Sequence, residues 1–194
     1  MDKEKLFAHI KGGLIVSCYA GADFNAEMGV PETMVCVAKS CIAGGAKAIR
    51  TNCENVAAIK AAVDVPVIGL KKIYRSGDMI SGDFRITPTL KEVEELIKAG
   101  ADGVAVDGTV RERYDGKTLE QFIGAVKKEF GAFVIADIST VEEGVAAWRY
   151  GADMVGTTLS GYTPYSKNPL PFGTLPSPEP DYEIIRELRA AGVP

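Results

Sequence analysis

Short apolar runs alternate with longer amphipathic stretches along the whole chain. The apolar runs predict strands over 13–18, 48–52, 65–72, 103–108, 133–138 and 154–158. Helical spacing predicts helices over 32–43, 54–62, 89–99, 118–130, 140–150 and 181–191, after an N-terminal helical segment that carries His9. Thr89-Leu90-Lys91-Glu92 and Thr140-Val141-Glu142-Glu143 read as capping boxes, a threonine at the cap with a glutamate three residues on. The strand runs are almost continuously apolar, as expected of strands buried on both faces. One device recurs between helix and strand: Ala43-Gly44-Gly45-Ala46-Lys47, Ala99-Gly100-Ala101-Asp102 and Tyr150-Gly151-Ala152-Asp153. In each, a glycine takes the left-handed position past a helix end and the chain turns into a strand. Strict alternation predicts an α/β fold with a parallel sheet and right-handed crossovers. Six strands in one series, each followed by a helix, favour a TIM (β/α)8 barrel with about six β/α units in this chain, as one domain over residues 1–194.

The same device returns at Ala190-Ala191-Gly192-Val193-Pro194, where a seventh strand is expected to begin. A closed eightfold barrel takes about 250 residues, about 200 at the low end. The expectation is a barrel domain incomplete at its C-terminus.

Polar residues gather where strands end. Val104-Ala105-Val106 runs into Asp107-Gly108-Thr109, and Val134-Ile135-Ala136 into Asp137-Ile138-Ser139-Thr140. Asp153-Met154-Val155 runs into Gly156-Thr157-Thr158-Leu159-Ser160-Gly161-Tyr162-Thr163. Ligands of parallel α/β proteins bind at the carboxyl ends of strands, so these endings predict one shared rim. Lys71 and Lys72 are expected to end the third strand, one toward the interior and the other toward the helix layer or rim. A partly desolvated lysine there can act as acid or base, although on the sequence alone two solvated lysines at a loop start are the favoured reading. Asp107 and Asp137 also read as ordinary turn residues, Asp137 more so because helix-capping groups follow it. Arg50, inside an apolar strand, needs an anionic partner from the protein or from a ligand.

Composition narrows the class. The chain has 194 residues, 46% hydrophobic and 25% charged, enough for a substantial core. A net charge of −4 without a basic block argues against nucleic acid as a partner. Neither a membrane-length apolar run nor a signal-peptide core is present, so no membrane partner is expected. The four cysteines, Cys18, Cys36, Cys41 and Cys53, form no C-x-x-C pair and read as reduced thiols of a cytoplasmic protein. With one histidine, the chain offers almost no material for a metal site or a Ser-His-Asp triad, and no metal is expected. No G-x-G-x-x-G follows the first strand, which weighs against a dinucleotide site.

In this order the pieces resemble the N-acetylmannosamine-6-phosphate 2-epimerase family. The resemblance is carried by 13–18, by Ile49-Arg50-Thr51-Asn52, and by 66–72 with Ile86-Thr87-Pro88-Thr89. It continues through Val106-Asp107 with Thr109, Arg111 and Arg113, then through 136–140 and 156–163. It implies a TIM barrel and an interconversion of N-acetylmannosamine 6-phosphate and N-acetylglucosamine 6-phosphate at C2, with no cofactor. The small-molecule partner is then a sugar phosphate, and a homo-oligomer is compatible with the sequence. The resemblance makes Lys72 the catalytic proton-transfer residue and assigns substrate binding to Arg50, Asp107, Thr158 and Ser160. The chain departs from the family at Tyr19, where a glutamine is usual, over 21–29, and in an insertion over 73–83 that reads as a lid or hairpin. The family's seventh-strand glutamate and arginine and its phosphate-binding loops would lie beyond Pro194, so residues 1–194 alone are expected not to epimerise the substrate. Two other readings stay open: a non-catalytic sugar-phosphate-binding or scaffold protein, and another barrel enzyme of the ribulose-phosphate type.

Overall fold

The structure, a computed structural model, describes residues 3–20, 27–74, 84–169 and 180–194. Two compact units emerge, one from Met1–Lys71 with Lys91–Val104 and the other from Lys72–Leu90 with Ala105–Pro194.

The first unit holds α1 (Lys3–Ile10), β1 (Ile15–Ser17), α2 (Pro31–Ala43), β2 (Ala48–Asn52), α3 (Cys53–Ala62), β3 (Val67–Leu70) and most of α4 (Leu90–Lys98). Pro31 opens α2 at the position where a missing N–H costs nothing. The parallel register sets Ile15 beside Ala48, and Ile49 beside Val67. Gly69 of β3 has a packing reason: a Cβ there would come within 2.7 Å of Leu96 Cδ2 and 3.2 Å of Val56 Cγ2. Its bare backbone lets α3 and α4 close on the strand.

The second unit holds a ribbon, β4 (Lys72–Tyr74) with β5 (Phe84–Ile86), then α5 (Leu119–Phe130), β7 (Phe133–Asp137), α6 (Val141–Arg149), β8 (Met154–Gly156) and α7 (Tyr182–Ala190). β6 (Gly103–Asp107) gives its first two residues to the first unit and the rest to the second. The sheet order is β1-β2-β3-β6-β7-β8, sequential as expected, and the registers described between its neighbours are parallel. β3, β6 and β7 are buried throughout, whereas β1 and β8, at the two ends of the order, are not.

The recurring glycine device has a common geometry. Gly45, Gly100, Gly151 and Gly192 have φ of 99°, 95°, 99° and 77°. The next residue in each case, Ala46, Ala101, Ala152 or Val193, donates its N–H to the carbonyl five residues back. This pairing satisfies helix-end carbonyls that would otherwise lack donors. In two copies an aspartate follows and does more. Asp102 Oδ2 accepts from Val67 N–H at 2.9 Å and from Lys60 Nζ at 2.6 Å, while Asp102 N–H donates to Val67 O at 2.9 Å. Asp153 repeats this with Val134 and with Lys127 of α5. One aspartate thus engages both peptide groups at the mouth of the preceding strand and the helix before its own. Lys47, in the first copy, has the main-chain bond, to Leu14 O at 2.9 Å, and no carboxylate to add the rest.

One element differs from the sequence reading. The run over 65–72 is not one strand: β3 stops at Leu70 and Lys72 begins the antiparallel ribbon, paired with Ile86. The chain leaves the sheet at Lys71, whose ammonium turns to Glu95 of α4 at 2.6 Å. Residues 72–74 and 84–86 pair antiparallel around the insertion; residues 75–83, most of it, lie outside the described residues, as do 21–26 of the departing segment after β1.

Candidate active site

Asp107 ends β6 and is 2% exposed. Its Oδ1 accepts from Thr109 Oγ1 at 2.6 Å and Thr109 N–H at 3.1 Å, and its Oδ2 accepts from Arg111 at 2.6 Å. Arg111 Nε donates to Thr109 Oγ1 at 3.1 Å. The short loop after the strand therefore folds back on its own aspartate, which aims the Arg111 guanidinium. Phe84 of the ribbon takes up two cations: its ring centroid lies 5.0 Å from Lys72 Nζ and 6.0 Å from Arg111 Cζ. An aromatic face attracts cations, so Phe84 draws Lys72 toward the arginine held by Asp107.

The ribbon is tied to the same loop at further points. Arg85 Nε donates to Glu112 O at 3.3 Å, and its guanidinium sits 5.5 Å from the Tyr114 ring centroid. Tyr114 OH donates to Ile73 O at 3.3 Å. Arg113 is buried and donates to Asp107 O at 2.7 Å, and its Cζ lies 3.7 Å from the Phe122 ring centroid. Burial pushes its guanidinium down to about 10, against the pull of Asp107 and Asp115, so it is still cationic at neutral pH.

The endings of β7 and β8 form a second cluster. Asp137, fully buried, accepts from Thr158 Oγ1 at 2.8 Å. A Cβ on Gly156 would come within 3.1 Å of Asp137 Oδ1, so the glycine admits the carboxylate. The Glu143 carboxylate accepts from Ser139 N–H and Oγ, both at 2.7 Å, from Thr140 N–H at 3.0 Å, and from Val110 N–H at 2.8 Å. Thr163 Oγ1 donates to Ser139 Oγ at 2.7 Å, and Ser166 Oγ accepts from Gly161 N–H at 2.9 Å. The loops after β6, β7 and β8 are thereby laced into one buried polar network.

Of the residues named from the sequence, Lys72 and Asp107 come together through Phe84 and Arg111. Thr158 is exposed, with its hydroxyl on Asp137. Ser160 is half-buried, and its N–H donates to Thr157 O at 3.1 Å. Arg50 belongs to the first unit, half-buried in β2 between Ser17 and Ile68. Phe84 and Glu143 were not among the expected site residues. Glu143 carried a signal, but only as a capping residue; Phe84 carried none, since its role depends on a ribbon. A cavity of about 620 Å³ opens beside the loop after β6, lined by Thr109, Arg111 and Glu143 but by neither Lys72 nor Asp107. Among the described residues no three His, Cys, Asp or Glu side chains cluster to hold a metal ion, and no helix is long and apolar enough to cross a membrane.

Parallel strands in sequential order, each followed by a helix, with charged and hydroxyl side chains collected after the strands, define a β/α-barrel enzyme class. The particular family follows from comparison with known proteins. The family model described as "Putative N-acetylmannosamine-6-phosphate epimerase" matches residues 34–194, and the chain belongs to that family. A relative from Cutibacterium acnes is 42% identical over 187 residues, spanning 95% of this chain and 74% of the relative. One from Caldanaerobacter subterraneus is 43% identical over 192 residues, spanning 95% and 73%. Both carry the name "Putative N-acetylmannosamine-6-phosphate 2-epimerase". The solved N-acetylmannosamine-6-phosphate 2-epimerase from Clostridium perfringens matches with a TM-score of 0.81 and 37% identity, over 95% of this chain and 75% of that one. The fold class is the β/α barrel, with about six β/α units among the described residues, and the family's named activity makes it an isomerase.

Proposed function

We propose that the protein interconverts N-acetylmannosamine 6-phosphate and N-acetylglucosamine 6-phosphate by moving the proton at C2, with no cofactor. The juxtaposition of Lys72 with Arg111 and Asp107 across the Phe84 ring carries this reading. Once the sugar ring opens, C1 is an aldehyde and the C2 hydrogen is acidic. Lys72 in its neutral form takes that proton, becoming the ammonium that the Phe84 ring attracts, and the electron pair of the C–H bond passes into a C1–C2 enolate. A proton donor on the opposite face of C2, distinct from Lys72, returns a proton and completes inversion. The enolate is anionic, so a fixed cation beside the base lowers the barrier, and Arg111 is such a cation. Asp107 sets its position rather than touching the proton. Arg50, Thr158 and Ser160 are read as substrate contacts on the strand ends. Four free thiols support a cytoplasmic setting.

The experiment is NMR of N-acetylmannosamine 6-phosphate in heavy water, with the substitutions made in a full-length protein. Lys72→Ala is expected to lower C2 deuterium incorporation by about 10²–10⁴-fold, the usual contribution of a general acid or base. Lys71→Ala is expected to be mild, because Lys71 is engaged with Glu95. Wild-type exchange in Lys72→Ala would overturn the reading.

A further inference from the structure

Thr87 stands out among the described residues as the non-glycine residue with a positive φ, 46°, and it is fully buried. Two preferences oppose that conformation. A β-branched side chain crowds the backbone in the left-handed region. Thr87 also precedes Pro88, and residues before proline favour extended backbone. Strain of this kind persists only where surrounding contacts hold it, and it is more common at functional sites.

The holding contact is Arg113. One terminal nitrogen of its guanidinium donates to Thr87 O at 3.4 Å and Pro88 O at 3.0 Å, and the other to Asp107 O at 2.7 Å. A planar fork can span three carbonyls in this way; a lysine's single ammonium cannot. The arrangement is costly: Arg113 is 6% exposed, and its Nε has no hydrogen-bond partner in a buried position. A hydrophobic core alone would not call for such a group. What the three bonds achieve is geometric. Thr87 directly follows Ile86, the residue paired with Lys72, and Asp107 is the residue that aims Arg111.

We propose that Arg113 is a positioning residue for proton transfer: by clamping the left-handed Thr87–Pro88 turn to the end of β6, it sets Lys72 against the Asp107–Arg111 pair. The proposal rests on the reading of Lys72 as the proton-transfer residue. Strain and clamp are two halves of one device, so they are coupled. Removing the strain with Thr87→Gly, which tolerates positive φ freely, weakens the need for the clamp.

The test compares Arg113→Lys, Thr87→Gly and the double variant. In the C2-exchange assay, Arg113→Lys is expected to lower kcat by about 10–100-fold with KM nearly unchanged, as for a small misplacement of a catalytic group. The same substitution in the Thr87→Gly background is expected to cost much less. A role in stability alone would not produce that coupling. Amide hydrogen exchange gives a second readout that needs no turnover: residues 72–74 and 84–87 should lose protection in Arg113→Lys while β7 keeps its own. Unchanged ribbon protection, or an equal loss of kcat in both backgrounds, would overturn the clamp. Lys72→Ala, run alongside, separates the two ideas: if it exchanges at the wild-type rate, the assignment of Lys72 fails, and the ribbon protection still decides the clamp.

Discussion

Phe84 holds two cations on one ring, and its removal tests how far that matters. Phe84→Ala is expected to lower C2 exchange about tenfold or more, since each cation–ring contact contributes about 0.5–2 kcal/mol depending on desolvation. An unchanged rate would mean that Lys72 is held by its other neighbours. The thiols give a second residue-scale prediction. Cys36 is exposed, whereas Cys18 is buried, with its Sγ 3.9 Å from that of Cys41. Burial, and then Cys41, pushes the Cys18 thiol up to about 12. Alkylation with iodoacetamide at neutral pH, followed by mass spectrometry, should modify Cys36 first and Cys18 last. Asp107 and Asp137 were placed by the sequence at the ends of apolar strands, where both read equally as ordinary turn residues until their partners are seen. Phe84 was not legible, because an aromatic residue after an insertion looks like any core residue until the ribbon sets it beside two cations.

The elements depend on small repeated devices whose effect can be measured one at a time. Asp153→Ala takes the carboxylate away from Val134 N–H and from Lys127, which keeps Ala132 O at 3.0 Å, and Asp102→Ala takes it away from Val67 N–H and Lys60. Each is expected to lower unfolding stability by about 1–3 kcal/mol, read from urea denaturation, because a part-buried donor loses its partner. A cost near zero for both would mean that water replaces the carboxylate. The glycine turns were legible because left-handed backbone leaves a residue-type signature. The aspartate's second role was not, since its partners lie 19–42 residues earlier in the sequence, too far for any local pattern. The end of β3 was misplaced for a related reason. Lys71 and Lys72 continue an alternating pattern, but a strand ends where its neighbours stop pairing with it, and Glu95 captures Lys71 first.

For the whole molecule, the titrating groups predict a stability profile that falls at both extremes of pH. The hydrogen bond from Lys71 holds the Glu95 carboxyl below its ordinary 4.5. That stabilisation is present above pH 4.5 and is lost as pH falls through the lowered value. It is small, about 0.2–1 kcal/mol, because the pair is partly exposed and screened. At the alkaline end the signs reverse. The Lys71 ammonium is raised above 10.5 by its bond to Glu95, and the Cys18 thiol is raised from 9.0 to about 12 by burial. Both contributions are complete below the ordinary values and vanish as pH rises through the folded ones. Denaturation midpoints should therefore drop from about pH 9 upward, and Cys18→Ala should flatten that limb. Sheet order and helix succession were legible at this scale because six similar units reinforce one another. The network across strand ends was hidden because its members are scattered from Val110 to Ser166. Its central carboxylate, Glu143, grips Val110 through a peptide N–H. A tie to the main chain is indifferent to the side chain it anchors. The outward-facing position at 110 is thus free to vary over generations without loosening the loop that bears Asp107 and Arg111. A saturation library at Val110 should fold with nineteen residues and fail with proline, the residue without an N–H. Such a loop is fixed in shape yet open in sequence, a combination that lets a lineage explore new substrates without first losing its framework.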